Sequence, residues 1–320
     1  MWFKNLIVYR MPANWEVDAD ALAENLQPMK FAEAASLQDT NVGWVAPHAA
    51  DPRLVCALHR QMLLTLRQEK KLLPAKVVAQ VLKQRVDRIE EEEGFRPGRK
   101  RMKELKEAVR DELLPRAFSL SSDTRAWIDP DAGWLVVDAA SANRADELIG
   151  VLARAVPGFP GRLLKVERSV TAAMTEWLLS GEPPPGFGID QDVELKARDG
   201  RASIRYANQT LEADEVAKHV KSGKQCTKLA LTWRDKVSFL LTDKLELRRI
   251  RALDVLTESA QQDAADAGER FETEMMLMTG ELSALLAELV AALGGAKATD
   301  ARDREAAAST QQSDPIRLAA

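Results

Sequence analysis

The residues with the clearest capacity for chemistry are cations. Between Arg96 and Phe118 the sequence carries eight bases (Arg96, Arg99, Lys100, Arg101, Lys103, Lys106, Arg110, Arg116) against four acids (Glu104, Glu107, Asp111, Glu112), a local charge of +4 in a chain whose net charge is −4. Cations concentrated on one segment make a surface for a polyanion, because each neutralised phosphate releases condensed counterions. The same residues also suit a solvated helix face, with i,i+4 pairs such as Lys103–Glu107 supporting the helix. Charge alone leaves both readings open.

Carboxylates offer a second chemistry. Asp129, Asp131 and Asp138 flank a predicted β-hairpin whose turn is Asp129-Pro130-Asp131-Ala132-Gly133. Acids there could hold a divalent metal for a DNA-processing reaction, although turns favour aspartate in any case. The run Glu90 to Glu93 suits a solvated helix end. His48, His59 and His219 are far apart and have no metal-ligand spacing with Cys56 or Cys226, so each suits a core or surface role. No phosphate-binding loop of the form G-x-x-x-x-G-K-[ST] occurs; Gly223-Lys224 has Lys218 where the first glycine should stand. Gly186-Phe187-Gly188 is too short for a dinucleotide fingerprint, and no G-x-S-x-G elbow is present. The expectation is a protein that binds rather than catalyses, with no cofactor and no metal.

With 320 residues, 46% of them hydrophobic, the chain can form two domains or one body with an inserted module. The most apolar segment, Leu282 to Leu293, is interrupted by Glu288, so no run is expected to reach the ~20 residues of a membrane span. Met1-Trp2-Phe3-Lys4-Asn5 lacks the pattern of a signal peptide. Two cysteines suit a reducing compartment. These features predict a cytoplasmic protein.

The elements that must position the cations follow from patterning. Pro74 to Glu93 has Val78, Leu82, Val86 and Ile89 at helical spacing, with Pro74 suited to the first turn. Gly94-Phe95-Arg96-Pro97-Gly98 then breaks the chain before the basic helix, so the two form a hairpin projecting from a β-rich body. Trp2–Arg10 and Val42–Val45 are strand candidates, and Leu54–Arg67 suits either strand or helix. Asn14 is a candidate N-cap for a helix to Asn25. Ser119–Asp129 and Trp134–Asp138 predict a β-hairpin, Ser141–Val156 and Thr171–Leu179 helices, and Arg162–Val166 a strand. After the loop Gly181 to Gly186 come a short strand (Ala202–Tyr206), a helix (Ala213–Lys221) and a meander over Thr227–Trp233, Lys236–Leu241 and Lys244–Arg251. A last helix, Glu269–Leu293, places Phe271, Met275, Met278, Leu282, Leu285, Leu289 and Leu293 on one stripe and stops at Gly294-Gly295. Residues 296–320 are polar and expected to be disordered. The predicted class is α+β, with mixed β-sheets and flanking helices. Trp44, Trp127, Trp134, Trp177 and Trp233 lie in apolar segments and are expected in the core.

Several stretches, in order, resemble the recombination-associated RdgC family. They are Trp2-Phe3-Lys4-Asn5-Leu6 with Tyr9-Arg10, Gly43-Trp44-Val45, Leu113-Leu114-Pro115-Arg116-Ala117-Phe118-Ser119 and Trp127-Ile128-Asp129. Further along come Thr175-Glu176-Trp177, Glu194-Leu195-Lys196, Thr227-Lys228-Leu229-Ala230-Leu231 and Leu277-Met278-Thr279-Gly280-Glu281-Leu282. The resemblance implies a ring-shaped homodimer that encircles double-stranded DNA without sequence preference and restrains the recombinase filament at the nucleoid. It divides the chain into a central region (1–73 and 119–180), a helical tip (74–118) and a base (181–295). It places Phe118 at a tip contact between protomers, with Arg96 or Arg99 near the same gate. Gln209 matches a polar interface position, and Asn208 stands where a lysine is expected beside it.

Lys4, Arg10, Lys76, Arg116, Lys224 and Lys228 are candidates for lining the hole. Arg99, Lys100 and Arg101 of the hairpin and Arg248 of a second basic group (Lys244, Arg248, Arg249, Arg251) join them as DNA-binding candidates. Taken without the resemblance, Phe118 suits a core position where the hairpin joins the body, and the basic hairpin could equally dock an acidic protein partner.

Overall fold

The computed structural model describes residues 2–12, 15, 18–32, 38–207, 213–256 and 267–297. The chain opens with β1 (Leu6–Arg10), α1 (Ala19–Leu26), β2 (Thr40–Val45), β3 (Val55–Leu58) and β4 (Gln61–Leu72). The helices α2 (Ala75–Glu93) and α3 (Arg99–Leu113) follow, then β5 (Phe118–Asp129), β6 (Trp134–Asp138), α4 (Ala142–Ala155), β7 (Arg162–Leu163) and α5 (Val170–Ser180). The remainder comprises β8 (Phe187–Ala197), β9 (Ser203–Tyr206), α6 (Ala213–Lys221), β10 (Lys224–Trp233), β11 (Val237–Thr242), β12 (Leu247–Ala252) and α7 (Ala267–Ala292).

Among the described residues all twelve strands join one sheet, in the order β2-β4-β5-β6-β1-β12-β11-β10-β8-β9, with β3 beside β4 and β7 beside β1. Every strand pairing is antiparallel. The expectation of several mixed sheets therefore gives way to a single antiparallel one. Strand β1 joins the two halves and meets β12 at one register pair, Leu6 opposite Leu247.

Alternation along β1 explains the layering, since successive side chains point to opposite faces. Leu6 and Val8 enter a core with α5, α6 and α7, whereas Ile7 and Tyr9 enter a second core with α1 and α4. Trp127 and Ile128 of β5 divide between the cores in the same way. Trp44, Trp127, Trp134, Trp177 and Trp233 are all buried, as their apolar settings predict. In the β8–β12 half only the first face carries helices in its core; the other bears Glu194, Lys228 and Thr232.

Helix α7 splints the two halves. Met275, Met278, Leu282, Leu285, Leu289 and Leu293 are buried along the predicted stripe, and Phe271 packs partly against it. Its Ser283 hydroxyl donates to Asp129 on β5 (2.9 Å), and Glu288 accepts from the Trp233 indole on β10 (2.7 Å). Gly268–Ala292 is long and apolar enough to cross a membrane by composition, which corrects the expectation from Leu282–Leu293. That hydropathy has a local cause: the stripe is the lid of the larger core. Gly294 and Gly295 then take positive φ (84° and 94°), and the chain stays on the body through Lys297, whose N–H donates to the Lys165 carbonyl (2.8 Å). The remainder of the predicted tail, 298–320, lies outside the described residues.

Three local expectations change. Helix α1 is capped by Asp18, whose carboxylate accepts from the Ala21 N–H; Asn14 lies outside the described residues. The ambiguous Leu54–Arg67 is the β3–β4 hairpin, turned at His59 and Arg60, both at positive φ (46° and 65°). Strand β8 forms directly after the Gly181–Gly186 loop, where the pattern predicts no element.

Candidate nucleic-acid interface

The basic segment is a helix, and its hairpin has its own small core. Val78 and Val86 of α2 and Val109 of α3 are buried, with Leu114 beyond α3 closing the base. Gly94, at φ 79°, lets the chain leave α2, and its N–H donates to the Glu90 carbonyl (2.9 Å). Arg85 and Glu112 pair across the two helices, and Arg110 pairs with Asp39 just ahead of β2. The Lys71 N–H also donates to the Asp39 carbonyl (2.8 Å), so α3 is tied to the β2 side of the sheet.

At the tip the acidic end of α2 meets the basic start of α3. Arg96 pairs with Glu90 (2.7 Å), and Arg101 makes a two-pronged contact with Glu93 (2.6 and 2.7 Å). The hydrogen bonds from Arg101 hold the Glu93 carboxyl below its usual range. Lys103 lies 4.0 Å from Glu107, the i,i+4 pair the spacing predicts. Arg99, Lys100 and Arg116 are exposed and have no acidic partner among the described residues; the same holds for Lys76, whereas Lys4 is exposed but sits beside Asp138, whose carboxylate accepts its N–H (3.1 Å). Arg99, Lys100, Arg116 and Lys76 are the candidates with no acid beside them among the described residues.

The candidates on the body are in a different condition. Arg10 is half-buried, its guanidinium 4.5 Å over the Trp134 ring and hydrogen-bonded to the carbonyls of Ala132 and Gly133. It holds the β5–β6 turn. Lys228 and Lys196 both pair with Glu194 at 2.9 Å. Burial would raise the Glu194 pKa, but hydrogen bonds and charge from the two lysines outweigh it and hold the pKa at about 2. Arg248 pairs with Glu246 (2.6 Å) and donates to the Ala140 carbonyl, and Arg249 pairs with Asp192 (2.9 Å). Lys224 donates to the Ser222 hydroxyl. Asn208 and Gln209 lie outside the described residues.

Phe118 is 85% exposed, so it is not the core residue that its place in a strand would suggest. The β4–β5 register sets it opposite Leu72, itself exposed, and exposed Leu120 is two residues further along the same face. Sequence alone does not single out Leu72 and Leu120, because alternating apolar residues in a strand ordinarily mark a core face.

The three carboxylates considered for metal chemistry do not share one site: Asp129 and Asp131 line one cavity together with His59 and Ser283, and Asp138 stands apart from it. Asp129 is buried and accepts from Ser283 and the Ala132 N–H; exposed Asp131 pairs with Arg60; Asp138 stands at the far end of β6, accepting the Lys4 and Asn5 N–H groups. Burial pushes the Asp138 carboxyl up. Among the described residues no three His, Cys, Asp or Glu side chains form a metal-sized cluster. His48 stacks on Phe271, His59 is in the β3–β4 turn, and Cys226 is buried with its thiol pushed up to about 12.

A family model described as "Putative exonuclease, RdgC" matches residues 1–296. The chain belongs to the RdgC family. "Recombination-associated protein RdgC" of Janthinobacterium sp. (strain Marseille) is 53% identical over 296 residues, covering 92% of this chain and 98% of its own. The protein of the same name from Herminiimonas arsenicoxydans is 51% identical over 299 residues, covering 93% and 99%. The RdgC match takes in the hairpin, both cores and all of α7, and it ends at the residue that bridges back to Val166.

Proposed function

We propose that the protein binds double-stranded DNA without reading its sequence, as a ring-shaped homodimer that encircles the duplex and restrains recombinase-driven recombination. The supporting observation is the coincidence, where the hairpin joins the sheet, of two cations without acidic partners among the described residues, Arg116 and Lys76, and an exposed apolar cluster. Arg116 is two residues from Phe118, and Lys76 follows shortly after Leu72. Cations without acidic partners can neutralise phosphates, a contact that fixes position but carries no sequence information. An exposed phenylalanine beside an arginine has the composition of an interface anchor, and a ring of two copies needs a self-complementary patch at each closure. The relatives' printed names support a role in recombination. On this reading the protein works at the nucleoid in the cytoplasm, with the recombinase filament as the antagonised partner. No cofactor is required, because the action is occupancy of the duplex.

The test is retention on closed circular and linear duplex across a salt series, for the parent and Phe118→Ala. Exposure of Phe118 predicts an unchanged fold, and the variant is expected to leave circular DNA faster. Equal retention would remove Phe118 from the closure. The exonuclease in the family description is the second reading. Incubating the parent with linear and nicked duplex and Mg²⁺ separates the two, and release of nucleotides would replace occupancy with catalysis.

A further inference from the structure

We infer that the cleft between α7 and the β3–β4 and β5–β6 turns binds a small organic cation, an ammonium or guanidinium group on a short aliphatic stem. The inference is independent of the DNA reading, since none of the DNA-binding candidates lines this cleft.

The cleft holds about 570 Å³, within the range of small-ligand pockets. His59 lines it from the first turn, Asp129 and Asp131 from the second, and Met276, Gly280 and Ser283 from one side of α7, at the three- and four-residue spacing of a helix face. These walls are tied to one another. Arg60 pairs with Asp131 across the two turns (2.9 Å), and the Ser283 hydroxyl joins α7 to Asp129 (2.9 Å). A cleft held in this way is formed before a ligand arrives, which lowers the cost of binding.

Asp129 sets the sign of the ligand. It is 4% exposed, yet its carboxylate has only neutral donors, the Ser283 hydroxyl and the Ala132 N–H (3.0 Å). No cation among the described residues pairs with it. A carboxylate can accept about four hydrogen bonds, so this one has acceptor positions to spare. A buried carboxylate without a countercharge is costly, and a cationic ligand supplies the countercharge. A metal ion is the poorer fit, because no three His, Cys, Asp or Glu side chains among the described residues form a metal-sized cluster. An organic cation needs one carboxylate and room for its stem.

α7 provides that room. Gly280 lies inside the helix, where glycine weakens helical structure. Neither a positive φ nor a close neighbour calls for glycine there: a Cβ at 280 would meet no atom within 4 Å. What the missing side chain leaves is space in the cleft. Met276, one turn earlier and exposed, gives an aliphatic stem an apolar surface to lie on.

Calorimetric titration of the full chain with butane-1,4-diamine and with agmatine tests this, with 1-butanol and ammonium chloride supplying the stem alone and the charge alone. Saturable one-to-one binding is expected for both amines, at least about tenfold tighter than for either control. Gly280→Leu fills the cleft and favours the helix, so it should abolish binding without lowering the melting temperature of the free protein. Asp129→Asn should weaken binding about tenfold or more, through loss of a charge-assisted contact. Either variant suffices if it keeps the parent's melting temperature. In the parent, the amines should slow amide exchange at 59–61 and 131–133. Binding that survives Gly280→Leu would mean diffuse attraction to a chain of net charge −4 and overturns the site. Amines that fail to bind the parent overturn it as well. Mg²⁺ or Mn²⁺ that saturates the parent and displaces the diamine would give Asp129 to a metal and overturn the organic cation. Tighter binding of N-acetyl-lysinamide than of either free amine would make the cleft a dock for a protein side chain and overturn the small ligand.

Discussion

The body and the arm that carries the helical hairpin handle apolar surface in opposite ways. In the body, the sheet buries apolar side chains on both faces of its first half and on one face of its second, and Leu6, Trp127, Leu231 and Leu285 are fully inaccessible. In the arm from Leu72 to Leu120, five large apolar side chains are exposed: Leu72, Val77, Phe95, Phe118 and Leu120. The described residues elsewhere expose only four, at Leu163, Leu179, Val255 and Met276. Cations repeat the contrast in part, since Arg96 and Arg101 of the arm are themselves paired. Lys228, Arg248 and Arg249 are held by body carboxylates, whereas Arg99, Lys100 and Arg116 have no acidic partner among the described residues. Unsatisfied surface of both kinds therefore collects in the arm, which is what an element that must meet other molecules requires.

The contrast should appear first in stability. Leu285→Ala opens a cavity under the helix that splints both halves of the sheet. It is expected to cost about 3 kcal/mol of global stability, read as a lower denaturant midpoint with an unchanged slope. Val109→Ala should cost about 2 kcal/mol, because Val109 is as buried as Leu285 but serves only the hairpin. Hydrogen exchange should then show faster opening of 75–113 and little change at β1. Uniform acceleration across the chain would mean that the arm is no separate unit.

The same division sorts the cations. Arg99→Gln, Lys100→Gln and Arg116→Gln together should weaken DNA binding and flatten its salt dependence by about 0.9 in log–log slope for each phosphate no longer neutralised. Arg10→Gln should leave that slope alone and cost about 1 kcal/mol of stability, since its guanidinium rests on Trp134 and the β5–β6 turn. A slope that responds to Arg10→Gln and not to the triple variant would invert the assignment.

How much of this is legible in the sequence depends on periodicity. The hairpin, the meander and the α7 stripe carry repeats long enough to declare themselves, and the structure places them close to the expected residues. Strand β8 escapes notice because Gly188, Asp190 and Asp192 are poor strand formers, although Val193 and Leu195 point inward while Glu194 and Lys196 point out. The β3–β4 turn is hidden because His59-Arg60 occupies positive φ without the Asn-Gly chemistry that usually announces it. At the candidate site, charge identifies the arm, but partnership decides which cations remain available. Arg10 and Arg116 look alike in sequence; only the fold sets one over an indole and leaves the other in solvent.

The smallest effect is the most specific one. Glu194, with a pKa of about 2 against an ordinary 4.5, favours the folded state only while ionised. A depressed pKa of this sign gives stability that is fully present above about 4.5 and is lost as pH falls through about 2. Glu194→Gln removes that titration, so the denaturant midpoint of the variant should fall less steeply between about pH 5 and pH 2 than that of the parent. The substitution also releases Lys196 and Lys228 from their shared acid. If the β8–β10 face lies along DNA, affinity at neutral pH should rise slightly and the salt slope should steepen. If the arm alone meets the phosphates, only the acid limb should change. Parallel acid limbs for parent and variant would show that the two lysines do not hold Glu194 in solution, and the contrast between paired body and unpaired arm would then rest on Arg248 and Arg249.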